Sequence, residues 1–552
     1  MDTLEQAGCY STGIALLFFW EAKNLYVCID NNIRIMLKKI RVVLAWVFWV
    51  GITLLLLDFT GTLHAYLGWM AKVQFLPAVL ALNVGVIVGL VLLTLVFGRV
   101  YCSVICPLGV FQDAVSRLGT WKKKAPYKYH KELKWLRYGV WAVFVVLLIV
   151  GVQAAVALLA PYSAYGRMVQ NLLQPVYLWG NNLLASWAEH AGSYAFYTKE
   201  VWLRSIPTFI IAVVTLVVIV ALSFKGGRTY CNSICPVGTT LSFFSRFALL
   251  RPVIDHSKCK HCKACELHCK AQCIAIGKDT EHIDYSRCVD CFNCVEQCKF
   301  GALKYKYAWS ATKNAKNVAL GAKNTVSATN KPQNVALDEK DPSGRRAMIA
   351  GTMAVVGTAA LRGVEARAQE AAKKVDGGFA DILPKQAPQR EVPLTPPGSA
   401  SVKDFYRRCT ACQLCVAECP NNVLRPSGDL EHLMQPEMSF EKGWCRPECT
   451  RCSELCPAGA IRKISREEKT QYHVGTSHVN LALCVSASGK ANCGKCAQIC
   501  PSGAIRMVEN AETGLLFPVV AEEICTGCGA CEHLCPVRPI SAITVNGKFQ
   551  HV

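Results

Sequence analysis

The chain has 552 residues, 52% of them hydrophobic, with a formal net charge of +21 and 31 cysteines. That length suggests three or four domains, and the composition leans toward a membrane protein. The charge does not mark a nucleic-acid surface: residues 381–552 carry 18 Lys/Arg against 17 Asp/Glu, and the earlier basic residues fall between apolar stretches rather than in one patch.

Residues 1–39 read as a basic N-terminal segment whose apolar patch "GIALLFFW" is too short to span a bilayer. Four uncharged stretches follow: 16 residues between Arg41 and Asp58, 25 from Val73 to Phe97, 29 between Arg137 and Arg167, and 20 between Arg204 and Lys225. A bilayer core needs about 20 apolar residues per helix, so residues 40–250 are expected to form a four-helix transmembrane bundle, the first span being short enough to read also as a core helix. Lys and Arg, including Lys122, Lys123 and Lys124, concentrate before span one and between spans two and three, which places both ends of the bundle in the cytoplasm. "GRVYCSVICPLG" and "GRTYCNSICPVG" close spans two and four, so the membrane unit carries an internal repeat. Their thiols, Cys102, Cys106, Cys231 and Cys235, form a metal or redox site or only shape a Gly/Pro-punctuated helix exit; the spacing leaves both open.

Next come Cys259, Cys262, Cys265 and Cys269, then Cys288, Cys291, Cys294 and Cys298, both spaced C-x2-C-x2-C-x3-C. In two-cluster ferredoxins of this spacing the fourth Cys ligates the other cluster. One set is then Cys259, Cys262, Cys265 and Cys298, and the other Cys288, Cys291, Cys294 and Cys269. Cys273 is a spare thiol, expected to be inert, and Lys270 and Lys299 replace the usual Pro. Residues 251–306 are thus a two-cluster domain.

Residues 307–342 read as a flexible polar linker. Arg345 and Arg346 precede an uncharged run to Leu361, so residues 343–369 resemble a twin-arginine export signal, with "ARAQ" as a cleavage candidate. After a second linker, 370–404, residues 405–552 hold four more quartets. They are Cys409, Cys412, Cys415 and Cys419; Cys445, Cys449, Cys452 and Cys456; Cys484, Cys493, Cys496 and Cys500; and Cys525, Cys528, Cys531 and Cys535. Each ends in C-x2-C-x3-C-P, and the longer first gap of the two middle ones admits zinc as an alternative. Exchange of the fourth Cys is expected between motifs one and four and between two and three, which nests the variants together. The fold class is therefore multidomain: a transmembrane bundle plus ferredoxin-like α+β domains with six [4Fe–4S] clusters on 24 cysteines.

Residues 1–300 resemble the NapH-type membrane polyferredoxins of periplasmic nitrate reduction, and residues from 343 onward resemble their NapG-type exported partners. The resemblance extends to the wider NosR-like group. It implies a fused quinol-dehydrogenase-type conduit in a bacterial inner membrane, with residues 251–342 cytoplasmic and 370–552 periplasmic, feeding a terminal reductase or electron carrier. His64 and Arg167, in loops at the outer face, are candidates for a quinol site. The alternatives are a maturation factor that reduces a partner's metal site and a cytoplasmic ferredoxin array that serves a soluble oxidoreductase.

Overall fold

The computed structural model describes residues 18–121, 127–277, 281–307, 374–376, 380–511 and 513–551. The Arg345–Arg346 segment, the linker before it and Lys122–Lys124 lie outside these.

Helix α1 (Phe18–Leu57) is followed by α2 (His64–Lys72), α3 (Phe75–Leu80), α4 (Val84–Phe97), a π-helical turn (Tyr101–Ile105) and α5 (Pro107–Thr120). Then come α6 (Lys134–Val150), α7 (Gln153–Leu159), α8 (Pro161–Met168), α9 (Gln174–His190), α10 (Ile206–Gly226), α11 (Thr229–Ser233) and α12 (Pro236–Ser245). Four full spans are not what this unit builds. By length and composition, two helices can cross a bilayer, Met36–Leu57 and Ile206–Gly226. The second expected span breaks at Asn83, whose side chain accepts from Val86 N at 3.3 Å and starts α4, a helix of 14 residues. The third breaks at Gly151, which caps α6 in the left-handed region at φ 90°. The outward faces of α1, α4, α6 and α10 are nonetheless apolar, with Trp46, Leu92, Val146 and Val217 exposed.

The internal repeat is real in three dimensions, and its halves interlock. Helix α4 packs on α12, and α10 packs on α5. Each half ends its long helix at a positive-φ glycine, Gly98 at 75° and Gly227 at 63°, and restarts with Pro107 or Pro236 in the first helical turn. Proline suits that turn because its missing N–H would have no partner there.

The two-cluster unit is built from β1 (Leu250–Ile254), α13 (Ala264–Leu267), β2 (Ile274–Ile276), β3 (Glu281–Ile283), α14 (Asn293–Gln297) and β4 (Leu303–Tyr307), with β1–β4 and β2–β3 antiparallel. It sits on the repeat. A Cβ on Gly98 would strike the Asp290 carboxylate, and one on Gly227 would lie 2.6 Å from Lys270 O, so both positions require glycine.

After the short pair β5 (Lys374–Asp376) and β6 (Ala380–Ile382), the four-cluster unit contains β7 (Leu424–Pro426) with β8 (Pro436–Met438), β9 (Gly475–Val479) with β12 (Ile543–Gly547), and β10 (Ile505–Glu509) with β11 (Leu516–Val520). Residues 383–404, expected as linker, instead pack onto it. Val392 and Leu394 are buried, Leu394 O accepts from Met438 N at 2.9 Å, and Arg390 pairs with buried Glu532 at 2.7 Å.

The two cluster-bearing units lie at opposite ends of the apolar part of α1, Met36–Leu57. Lys38 pairs with Glu296 of the two-cluster unit. Just past the other end, a Cβ on Gly61 would lie 3.1 Å from Arg451 of the four-cluster unit. From Lys38 to Leu57 the helix rises about 28 Å. Helix α10 repeats the arrangement: Pro207 at its start meets Gly428, and Gly227 at its end meets Lys270.

Candidate functional site

The thiols converge in sets. Cys259, Cys262, Cys265 and Cys298 line one cavity of about 380 Å³. Cys269, Cys288, Cys291 and Cys294 line another of about 360 Å³, so each fourth Cys faces the other motif's loop. Packing of α13 on α14 is what carries it there. Cys273 is buried at the second cavity with its Sγ 3.5 Å from Cys269 Sγ.

In the C-terminal unit the exchange partners differ from the expectation. Cys409, Cys412 and Cys415 have Cys456 as electrostatic neighbour, whereas Cys445, Cys449 and Cys452 surround Cys419. Cys484, Cys493 and Cys496 share a cavity of about 390 Å³ with Cys535, and Cys528 stands beside Cys525, Cys531 and Cys500. Motif one therefore exchanges with two, and three with four. The cause is local: the short helix ending motif one (Leu414–Ala417) packs on that of motif two (Arg451–Leu455), and Lys495–Ile499 packs on Ala530–Leu534.

The backbone fits an anionic group. In the four regularly spaced motifs, both residues flanking the second Cys have positive φ: His261 and Lys263, Asp290 and Phe292, Ala411 and Gln413, Gly527 and Gly529. Alternation into the left-handed region turns successive N–H groups toward one concavity, an arrangement found at many iron–sulfur sites. Ala411 N, for example, donates to Cys409 Sγ at 3.4 Å. Six of these eight residues are not glycine, so the loops hold a conformation that costs them stability.

The two C-x3-C-P pairs also come together. Cys102, Cys106, Cys231 and Cys235 are all buried, and Cys235 has the other three as electrostatic neighbours. Gly238 N donates to Cys235 Sγ at 3.4 Å, and Arg228 Nη1 lies 3.9 Å from Cys231 Sγ.

His64 and Arg167 do not form a shared pocket wall. His64 is half-buried at the start of α2, where burial and then Lys72 lower its pKa and keep the imidazole neutral near pH 7. Arg167 is fully buried, with Nη1 donating to Ala157 O at 2.9 Å and Cys412 as electrostatic neighbour. It faces the first C-terminal motif, not solvent. Sequence reading missed a cleft of about 470 Å³ between α9, residues 200–204 and the four-cluster unit. Its wall includes Gln170, Gln174, Trp202, Arg204 and Gln413, and Arg204 stands near Cys415 and Cys419. Gln170 Oε1, Gln174 Nε2 and Gln413 Nε2 are buried there without partners. Only the aromatic-rich sequence around residues 161–184 hinted at it.

A family model described as a 4Fe–4S binding domain matches residues 79–126 and again 208–253, each match enclosing one C-x3-C-P pair. A 4Fe–4S dicluster domain matches residues 491–538, which join motifs three and four. An uncharacterised protein of Methanocaldococcus jannaschii is 26% identical over 284 residues, 50% of this chain and 96% of that protein. The ferredoxin-type protein NapF of Escherichia coli is 28% identical over 171 residues, 31% of this chain and 96% of NapF. The methylamine utilization ferredoxin-type protein MauM of Methylobacillus flagellatus is 30% identical over 164 residues, 29% of this chain and 70% of MauM. No solved structure matches the chain. With its converging thiol sets and these relatives, the chain belongs to the ferredoxin-type iron–sulfur proteins that include NapF and MauM, whose chemistry is electron transfer.

Proposed function

We propose that the protein is a membrane-bound quinol-oxidising conduit that delivers electrons to a periplasmic redox partner such as a terminal reductase or soluble carrier. Bound to the 24 cysteines of the six ferredoxin-type motifs, [4Fe–4S] clusters would supply one-electron transfer. The reading of the chain as membrane-embedded is supported by α1 and α10 and by the apolar outward faces beside them. The two cluster-bearing units meet opposite ends of the apolar stretches Met36–Leu57 and Ile206–Gly226, as expected if residues 251–307 are cytoplasmic and 380–551 periplasmic.

The observation that carries the quinol assignment is the cleft beside Arg204 and Gln413. Apolar Pro175, Leu178 and Trp202 line it beside the polar groups, the mixture a ring-shaped redox ligand needs. Unpartnered amide groups of Gln170, Gln174 and Gln413 supply one acceptor and two donors, the set that would orient quinol hydroxyls and quinone carbonyls. Gln413 adjoins Cys412, so a bound ring would stand next to the first C-terminal thiol set.

The test is quinol-driven bleaching of cluster absorbance in the purified full chain. Gln174→Leu is expected to raise the quinol concentration for half-maximal rate about tenfold, the scale of one lost buried hydrogen bond, with iron content unchanged. Native kinetics in that variant would remove quinol from the cleft.

A further inference from the structure

We propose that Cys102, Cys106, Cys231 and Cys235 ligate a seventh iron–sulfur cluster that joins the two-cluster and four-cluster units into one electron path. The clustering of thiols from both halves of the repeat is the first observation. Among the described residues, the one set of three or more metal-type ligand atoms all within 4.8 Å of one another is Cys259, His261 and Glu281. The quartet is therefore more open than thiolates about 2.3 Å from a single tetrahedral ion, and in this it matches the ferredoxin-type sets. That opening accords with a polynuclear cluster rather than a lone zinc.

The second observation is a surplus of buried donors and positive charge around the sulfurs. Gln112 is fully buried, its Oε1 lies 3.5 Å from Cys231 Sγ, and its Nε2 has no partner. Arg228 is fully buried, and its Nη2 has no partner. Asp113 answers three cations, Arg41 at 2.6 Å, Arg228 at 2.8 Å and Lys270 at 3.6 Å. Fully buried Arg99 donates from its side chain to the neutral oxygens of Gly238, Ser286 and Asn232, with buried Asp290 as its charged neighbour. Buried charges require counter-charge, and four thiolates around a cluster core provide it, with Gly238 N already aimed at one sulfur.

The third observation is position. Asn232, next to Cys231, donates from Nδ2 to Ala271 O at 3.1 Å, two residues past Cys269. On the other side, Tyr230 OH donates to Leu159 O at 3.3 Å, Arg167 donates to the adjacent carbonyls of Ala157 and Leu158, and a Cβ on Gly166 would lie 2.5 Å from Cys412 O. One contiguous buried cluster contains Cys269, Cys291 and Cys294, the quartet, and Cys412. The quartet thus lies between the second set of the two-cluster unit and the first motif of the four-cluster unit. Each transfer moves one electron from a reduced cluster to an oxidised one, with no bond made or broken. This relay rests on the proposed placement of the two units on opposite faces.

The experiment uses the full chain with Cys102→Ser/Cys231→Ser, one thiol from each half. Iron and acid-labile sulfide are expected to fall by about two to four atoms each per chain, a [2Fe–2S] or [4Fe–4S] complement, while the remaining cluster signals persist and report an intact fold. Native iron content would overturn the site. Gln112→Leu keeps all four thiols and is expected to shift one midpoint potential alone; potentials all unchanged would also count against a cluster there. In inside-out vesicles with dithionite outside and ferricyanide trapped within, native protein is expected to reduce the ferricyanide at least tenfold faster than the double variant. Equal, rapid rates would overturn the relay. No transfer by native protein would overturn the two-sided placement, while the iron count would still decide the site.

Discussion

Lys263 shows how much of this molecule is decided one residue at a time. It is exposed, it precedes α13, and it sits at φ 58°, where a side chain is strained. Lys263→Gly is expected to stabilise the two-cluster unit by about 1 kcal/mol, read as slower bleaching of cluster absorbance in denaturant; faster bleaching would mean the side chain supports the loop. The cysteine spacings announced the thiol sets, because three ligands within seven residues leave a loop little choice. Nothing in His261, Lys263, Asp290, Phe292, Ala411 or Gln413 announced a left-handed backbone, since these are not turn-forming glycines. The orphaned amides of Gln174 and Gln413 were equally silent: they become significant only when residues 239 positions apart in sequence share a wall.

At the scale of elements, short helices decide which thiols meet. Loss of Cys456 is expected to destroy the set of Cys409, Cys412 and Cys415 rather than that of its own motif. In Cys456→Ser, alkylation followed by mass spectrometry should label those three and leave Cys419, Cys445, Cys449 and Cys452 protected. The reverse pattern would mean that Cys456 closes the set of its own motif. Spacing within a motif fixes its own loop but carries no information on which neighbour its helix packs against, and that is why the nested pairing failed. Residues 383–404, part of the expected second linker, misled for a related reason: Arg390, Val392 and Leu394 act as a packed strap. Arg390→Met leaves buried Glu532 without its cation, and its Oε2 still accepts from Val545 N at 2.7 Å. The expected loss is about 3–5 kcal/mol in the four-cluster unit, measured by its denaturant midpoint; an unchanged midpoint would mean that the strap is peripheral. The broken second and third spans turn on single residues as well, a capping Asn83 and a left-handed Gly151, which hydropathy does not weigh.

For the whole molecule, the sequence supplied the order of units and a signal-like segment between them, but not their geometry. The structure adds that the apolar part of α1, Met36–Leu57, and α10 each have one cluster-bearing unit at either end, and that both halves of the repeat dock onto the two-cluster unit through Gly98 and Gly227. Under the proposed function the apolar helices between the units lie in a bilayer and electrons are collected or delivered on its two sides. The direct measurement is the sidedness of the two units in cells. One epitope is inserted at Gly277, in the two-cluster unit, and another follows Val552; spheroplasts are then treated with protease. The account predicts loss of the C-terminal epitope and survival of the one at Gly277. Survival of both, or loss of both, would place the units on one side and contradict it.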